Sequence, residues 1–218
     1  MKDLAKKFLT RKERELVDAA VQSAEAKTSG EIVCMIQSAS YHYPMAAVLA
    51  ATAIALPPAL ILTSLIGGWL WLGTHNMWIF LSLFTALFVV FYQIAQNFAG
   101  LKRRFISQRE IEEEVEEAAV TGFFNQGLYR TRDATGVLIF ISVFEHKVWV
   151  LADHGINAKI EKETWKQIVR TITDGIRNGQ PADAICTAVQ KVGKILETHF
   201  PIKPDDTNEL NNVIVSDD

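Results

Sequence analysis

Seventy consecutive residues of this 218-residue chain, from Ile32 to Leu101, contain no Asp, Glu, Lys or Arg. The 22 basic and 25 acidic residues all lie outside that window. Within it, Met45–Ile66 and Trp78–Ala99 are apolar runs, each close to the ~20 residues that a helix needs to cross ~30 Å of hydrocarbon. The sequence therefore predicts a transmembrane helical hairpin over residues 44–99, which contacts the lipid bilayer through residues 45–66 and 78–99.

Basic residues beside the predicted spans indicate how the hairpin is oriented. The loop between the spans has no Lys or Arg, whereas Lys102, Arg103, Arg104 and Arg109 follow the second span. Because basic flanks stay on the cytoplasmic side, we expect both termini and the soluble domain to be cytoplasmic, at a bacterial-type inner (plasma) membrane. The first 30 residues lack the apolar stretch of a signal peptide. Only His75, near the tip, is ionisable, so the hairpin is interpreted as an anchor rather than a transport path.

The rest of the chain has the composition of one ordinary globular domain. Its net charge of −3 comes with no Lys/Arg-rich stripe, so a nucleic-acid partner is not expected. Cys34 and Cys186 are far apart in sequence and show no metal-type spacing, which indicates buried thiols. We assign residues 1–43 and 100–200 to this domain and residues 201–218 to a mobile acidic tail.

The soluble sequence alternates between helical and strand patterns. Thr10 and Glu13 have capping-box spacing and open a helix, and Ile32–Ile36 is a fully apolar strand. The remaining pattern predicts a helix over 104–124, strands over 136–143 and 147–152, a polar loop over 153–157, and helices over 162–178 and 181–199. This order predicts an α/β fold: a three-layer α/β/α sandwich with a small mixed sheet, in which the first two strands are parallel and the third is antiparallel.

This topology brings polar residues from separate segments to one edge of the sheet, away from the hairpin. The first two strands start at that edge and the third ends there. The polar residues that we expect there are Glu31, Arg132, Asp133, Asp153 and His154, with Asn157 just beyond.

Three interpretations of this edge stay open. In the first, its residues are ordinary strand-end residues that cap turns. In the second, Glu31, Asp133 and Asp153, with backbone carbonyls or Asn157, bind Ca²⁺ or another divalent cation. In the third, the carboxylates act with Arg132 and His154 in hydrolysis. No segment has the specificity of a P-loop or zinc signature. The six glutamates between residues 110 and 117 are typical of a solvated helix face.

The chain resembles the TPM domain family, which includes a thylakoid photosystem II repair protein and many bacterial membrane proteins. The resemblance rests on Ser29–Val33, Asp133–Ile139 and Lys147–Asp153, in that order. It implies an α/β/α domain with Glu31, Asp133 and Asp153 at the acidic strand edge. Acid phosphatase activity and divalent-cation binding are associated with some members, and others look like accessory factors for membrane complexes.

These observations lead to two expectations about function. The first is a non-catalytic accessory, assembly or interaction module, anchored beside other membrane proteins and binding a divalent cation. The alternative is a membrane-tethered hydrolase of the acid-phosphatase type that uses the strand-edge carboxylates. A further hypothesis makes residues 205–218 a peptide that adds to the sheet edge of a partner.

Overall fold

The computed structural model describes residues 3–71, 76–131, 133–202 and 210–216. The chain divides into two compact units, one formed by Met1–Tyr41 with Glu112–Asp218 and the other by His42–Ile111. The helices and strands, in chain order, are α1 Leu4–Phe8, α2 Arg11–Glu25, β1 Glu31–Gln37, α3 Pro44–Leu70, α4 Asn76–Asn97, α5 Ala99–Arg103, α6 Gln108–Asn125, β2 Gly136–Ser142, β3 Lys147–Ala152, α7 His154–Asn157, α8 Lys162–Arg177, α9 Pro181–His199 and β4 Val213–Ser216.

The first unit is built on a four-stranded mixed sheet in the order β3-β2-β1-β4. β1 runs parallel to β2, with Glu31 opposite Gly136, and β2 runs antiparallel to β3, with Val137 opposite Ala152. Every residue of β1 and β2 is buried, which agrees with their continuous apolar sequences. The predicted strand directions are therefore confirmed.

Helices cover both faces of this sheet. Alternate residues of β1 and β2, such as Ile32 and Ile139, share one core with α2, α8 and α9. On the opposite face α6 approaches closely, because a Cβ added to Gly122 would lie 2.8 Å from the sulfur of Met35 and 3.7 Å from Leu138. The predicted α/β fold with three layers is confirmed.

The helix boundaries follow local chemistry. Thr10 and Glu13 form the predicted capping box at the start of α2. The helix predicted from residue 104 instead begins at Gln108, because the Ser107 hydroxyl accepts the Glu110 N–H at 3.1 Å and caps the helix there. Two short helices, α1 and α7, were not predicted, since helices of 5 and 4 residues are too short to show a helical period.

The expectation of a mobile tail is wrong for residues 213–216, which form β4. This strand runs parallel to β1, and Cys34 lies opposite Val213. The Cys34 N–H donates to the Asn212 carbonyl at 2.8 Å and the Ser38 N–H to the Ser216 carbonyl at 3.0 Å. Because every residue of β1 is buried, its backbone N–H and C=O groups need a partner strand on each side, and the Val-Ile-Val segment supplies the second one. Residues 203–209 of the expected tail lie outside the described part of the chain.

The second unit contains the two long helices of the predicted hairpin. α3 and α4 are each long and apolar enough to cross a membrane. α3 continues through Pro57 and Pro58, and the Thr63 hydroxyl donates to the Ala59 carbonyl at 2.7 Å. His75, expected near the hairpin tip, lies outside the described residues.

The two long helices bury small side chains and expose large ones. The buried positions of α3 are all small, and six of them recur every four residues: Ala47, Ala51, Ala55, Ala59, Thr63 and Gly67; Ala46 and Ala50 are buried as well. α4 carries a row of neighbouring rings spaced by four residues, with centroids 5.9–6.1 Å apart: Phe80, Phe84, Phe88 and Tyr92. Large apolar side chains such as Leu60, Leu65 and Val89 are exposed instead. This arrangement is typical of helices packed in lipid rather than in water.

Candidate functional site

The sheet edge predicted to collect polar residues exists in the structure. We call it the rim and define it by Glu31, Asp133, Asp153, His154 and Asn157. Glu31 and Gly136 start adjacent parallel strands, and Ala152 ends the antiparallel one beside them. The Glu31 N–H donates to the Thr135 carbonyl at 3.2 Å, and the Asp153 N–H donates to the Gly136 carbonyl at 2.9 Å. The rim therefore joins its segments through backbone hydrogen bonds.

Glu31 lies deepest in the rim, with 7% of its surface exposed. The adjacent Thr135 is fully buried, and its hydroxyl donates to the Ser29 carbonyl at 3.0 Å. The Thr135 N–H in turn donates to the Thr131 hydroxyl at 3.0 Å. These bonds fix the two segments that lead into β1 and β2, so the backbone beneath the rim is well defined.

Asp153 has a clear structural role as the residue that caps α7. Its carboxylate accepts the His154 N–H at 2.6 Å and lies 3.1 Å from Nδ1 of the His154 ring. The His154 side chain is 88% exposed, whereas that of Asp153 is 13% exposed. The carboxylate is therefore held in place by the turn, and the imidazole projects into solvent.

Asn157, a candidate cation ligand, closes the same turn. Its Nδ2 donates to the Ala152 carbonyl at 2.6 Å, and its backbone N–H donates to the Asp153 carbonyl at 3.0 Å. The side-chain amide is thus used to join α7 to the end of β3. This local role matches the first interpretation of the rim, in which strand-end residues cap turns.

Asp133 lies in an exposed turn that packs against α7. Ala134 has a φ of +54°, and a Cβ added to Gly155 would lie 2.7 Å from the Ala134 carbonyl oxygen and 3.0 Å from that of Asp133. Only glycine permits this approach, because the atoms it meets belong to the backbone. Two carbonyl oxygens are thereby directed towards the capped turn.

The rim thus differs in composition from the three-carboxylate site that the sequence suggests. Within residues 3–71, 76–131, 133–202 and 210–216, no three His, Cys, Asp or Glu side chains form a group that holds a metal ion. Arg132, the remaining candidate, lies outside the described residues. Sequence reasoning missed the Asp133 and Ala134 carbonyls and Gly155. In the local sequence, these groups are indicated only by the dipeptide Gly155-Ile156, which follows the pair Asp153-His154.

Comparison with known proteins gives a consistent assignment. Residues 100–195 match the model of the TPM domain, a segment that contains Asp133 and Asp153 but not Glu31. The NMR structure of the BA42 protein from the psychrophilic bacterium Bizionia argentinensis is similar to this chain, with a TM-score of 0.58 at 20% identity over 96% of this chain and 95% of that one. At this identity the likeness shows a shared fold. No curated protein matches the chain. The resemblance to the TPM domain family seen in the sequence is therefore confirmed over residues 100–195.

Proposed function

We propose that this chain is a non-catalytic accessory module of a bacterial-type inner membrane. In this proposal α3 and α4 anchor it, both termini are cytoplasmic, and the TPM domain assists the assembly or upkeep of other membrane proteins. The observation that carries it is the packing of the hairpin, where small side chains such as Ala55 are buried and large ones such as Leu60 are exposed. In water this exposed apolar surface would be strongly unfavourable, whereas lipid accommodates it.

Membrane anchoring and orientation are tested together with single cysteines. Membranes from cells that express the full chain are washed at alkaline pH, and the protein is expected to stay with the lipid. A membrane-impermeant maleimide added to spheroplasts is expected to label a Trp71→Cys variant, at the end of α3, but not a Lys194→Cys variant on α9. The unsubstituted chain, which contains the buried Cys34 and the partly exposed Cys186, gives the background labelling and serves as the control. Release into the wash, or labelling of Lys194→Cys alone, contradicts the proposal.

We also propose that the rim binds a divalent cation of the Ca²⁺ type. Support comes from the donor chemistry, since the Asp133 and Ala134 carbonyl oxygens lie beside Gly155 in the turn that Asp153 caps. Carbonyl and carboxylate oxygens are the ligands that hard cations prefer. A bound cation would neutralise the acidic edge and stiffen this turn.

Calorimetric titration of the full chain in detergent with Ca²⁺, Mg²⁺ and Mn²⁺ tests the cation proposal. Asp153→Asn and Asp133→Asn are expected to weaken binding at least tenfold, as loss of a charged ligand typically does. Asp174→Asn, which removes an exposed carboxylate on α8, is the matched control. The absence of a heat signal in the unsubstituted chain, or equal loss in the control, refutes the cation site.

A membrane-tethered hydrolase is the second candidate function. It is favoured by the contact between the Asp153 carboxylate and the His154 ring, 3.1 Å apart, because a carboxylate that orients an imidazole is a common arrangement for general-base catalysis. Steady turnover of a phosphomonoester that disappears in both Asp153→Asn and His154→Gln would establish it. Turnover unchanged in those variants would assign the activity to a contaminant.

A further inference from the structure

The charges of the hairpin unit are concentrated at one end of it. In His42–Ile111 the ionised residues are four basic side chains and one acidic one, all between positions 102 and 110: Lys102, Arg103, Arg104, Arg109 and Glu110. The chain as a whole is net negative, at −3. Positive charge therefore gathers at the base of the two long helices, which we define as residues 98–104 with the start of α3.

A short helix fixes this base. α4 ends at Asn97, and Phe98 adopts φ −103° and ψ 94°, which breaks the helix before α5 begins. Leu101 and Phe105 then pack against a small cluster of Ala47, Ala50 and Ala95, contributed by both long helices. α5 is thus attached to the ends of α3 and α4 within the same unit, and it does not swing freely.

Lys102 points into the base instead of into solvent. It is 3% exposed, and its ammonium donates to the carbonyl of His42, just before α3. Burial lowers the pKa of Lys102 because the charged form loses hydration. The Lys102 side chain therefore links α5, which follows α4, to His42, which precedes α3.

The inward direction of Lys102 sets the direction of the next two residues. Successive helical residues are about 100° apart, so Arg103 and Arg104 turn towards the flank and the outside of α5. Arg104 is exposed and Arg103 is half-buried. Phe98, at the other end of α5, is 63% exposed. The exposed ring of Phe98 and the exposed Arg104, beside the ends of two apolar helices, match the boundary between acyl chains and headgroups.

We propose that the exposed Arg104, with Arg103 next to it, binds the phosphate of an anionic phospholipid in the leaflet at the base of the hairpin. This inference rests on the proposed membrane anchoring. The planar guanidinium donates two parallel hydrogen bonds to phosphate oxygens, which a hydrated ammonium does not. Phe98 provides the apolar contact with the acyl chains, and Lys102 acts as a positioning residue.

The test measures lipid selectivity of the full chain in vesicles of phosphatidylcholine that contain spin-labelled phosphatidylglycerol or spin-labelled phosphatidylcholine. We expect preferential association of the anionic lipid. A basic residue near the surface contributes about fivefold in binding, so the Arg103→Gln/Arg104→Gln variant is expected to lose most of that preference. Lys102→Met is expected to weaken it less and to loosen the base, seen as faster proteolysis after Arg104.

The control is Arg170→Gln/Arg177→Gln, which removes the same charge from α8 and is expected to keep the lipid preference. Equal loss in both double variants indicates a non-specific charge effect and overturns the site. If inorganic phosphate abolishes the lipid preference and sodium chloride of the same ionic strength does not, the site binds free anions. That result also overturns the proposed lipid site. If the chain inserts but shows no preference, this inference fails while anchoring stands; if it does not insert, the proposed function itself fails.

Discussion

The backbone N–H of Ser40 donates to the Glu145 carboxylate at 2.9 Å, joining residues 105 positions apart in the chain. The Ser142 hydroxyl donates to the same carboxylate, which is completely buried. Glu145 lies in the turn between β2 and β3, and Ser40 lies in the segment that follows β1. A buried acid therefore fixes the chain where it leaves the sheet for the hairpin.

Replacing Glu145 is expected to destabilise the sheet unit. Glu145→Ala leaves the Ser40 and Ser142 donors without this acceptor and should cost about 1.5–3 kcal/mol, the range for hydrogen bonds to charged groups. Glu145→Gln keeps an acceptor oxygen and should cost less. Chemical unfolding of the full chain in detergent, followed by tryptophan fluorescence, measures both. Equal midpoints for Glu145→Ala and the unsubstituted chain would contradict this role.

Deletion of residues 211–218 is expected to remove the hydrogen-exchange protection of the β1-side amides that donate to this last segment. The Cys34 and Ser38 N–H groups donate to Asn212 and Ser216 of the last segment, whereas the Glu31 N–H donates to Thr135 on the other side. Hydrogen exchange at Cys34 and Ser38 should therefore accelerate by orders of magnitude while Glu31 stays protected. Uniform acceleration at all three amides would mean that the whole unit unfolds instead.

Gly155→Ala is expected to separate α7 from the turn at Asp133. The added Cβ would meet the Ala134 carbonyl oxygen at 2.7 Å, so the backbone must move, at a cost of about 1–3 kcal/mol. Thermal unfolding measures that cost, and calorimetry shows whether cation binding weakens with it. Gly100→Ala in α5 is the control, because nothing lies within 4 Å of its added Cβ. A wild-type melting temperature for Gly155→Ala would disprove the close approach.

Stability is expected to fall at alkaline pH through the buried thiols. Burial raises the pKa of the Cys34 thiol and, to a smaller extent, that of Cys186. The unfolded chain therefore ionises first: the contribution is intact below the ordinary thiol pKa of 9.0 and is lost as the pH rises above it. Above that pH, Cys34→Ala should make the fall of unfolding free energy with pH less steep by about 1.4 kcal/mol per pH unit. Parallel slopes would show that Cys34 ionises equally well in both states.

The buried face of α3, which consists of small residues, and its exposed face provide a matched pair of variants in the hairpin. Ala55 is completely buried, whereas Leu60 is 55% exposed. Ala55→Phe should push α3 and α4 apart and destabilise the pair by about 1–3 kcal/mol. Leu60→Phe should change stability little. Unfolding in mixed micelles at increasing dodecyl sulfate fraction measures both, and a larger effect for Leu60→Phe would place the helix contact on the wrong face.

The sequence pattern was sufficient to predict those strands and helices whose own residues form a clear apolar run. β1 and β2 contain continuous apolar runs, and the four residues between β2 and β3 are too few for anything but an antiparallel pair, so the directions of these strands could be predicted without a structure. The same directions brought Glu31 and Asp153 to a common edge. The 70 uncharged residues likewise predicted α3 and α4 within a few residues of their ends.

Elements whose structure depends on distant partners were not predictable in this way. Val213–Ser216 is a strand only because β1 offers it an open edge, and in sequence it looks like the apolar part of a polar tail. α7 exists because Asp153 and Asn157 close a turn between them. The positions of the Asp133 and Ala134 carbonyls depend on the positive φ of Ala134, and no residue pattern predicts the direction of a carbonyl group.

The position of β1 in the middle of the sheet has a consequence for synthesis. Its parallel partner starts at Gly136 and its other neighbour at Val213, so both leave the ribosome long after Glu31 does. At typical elongation rates of 5–20 residues per second, roughly 100 intervening residues take on the order of ten seconds. Throughout that interval the apolar stretch Ile32–Ile36 is synthesised but has neither of its neighbouring strands. The central strand of this sheet is therefore the first to be made and among the last to be completed by pairing.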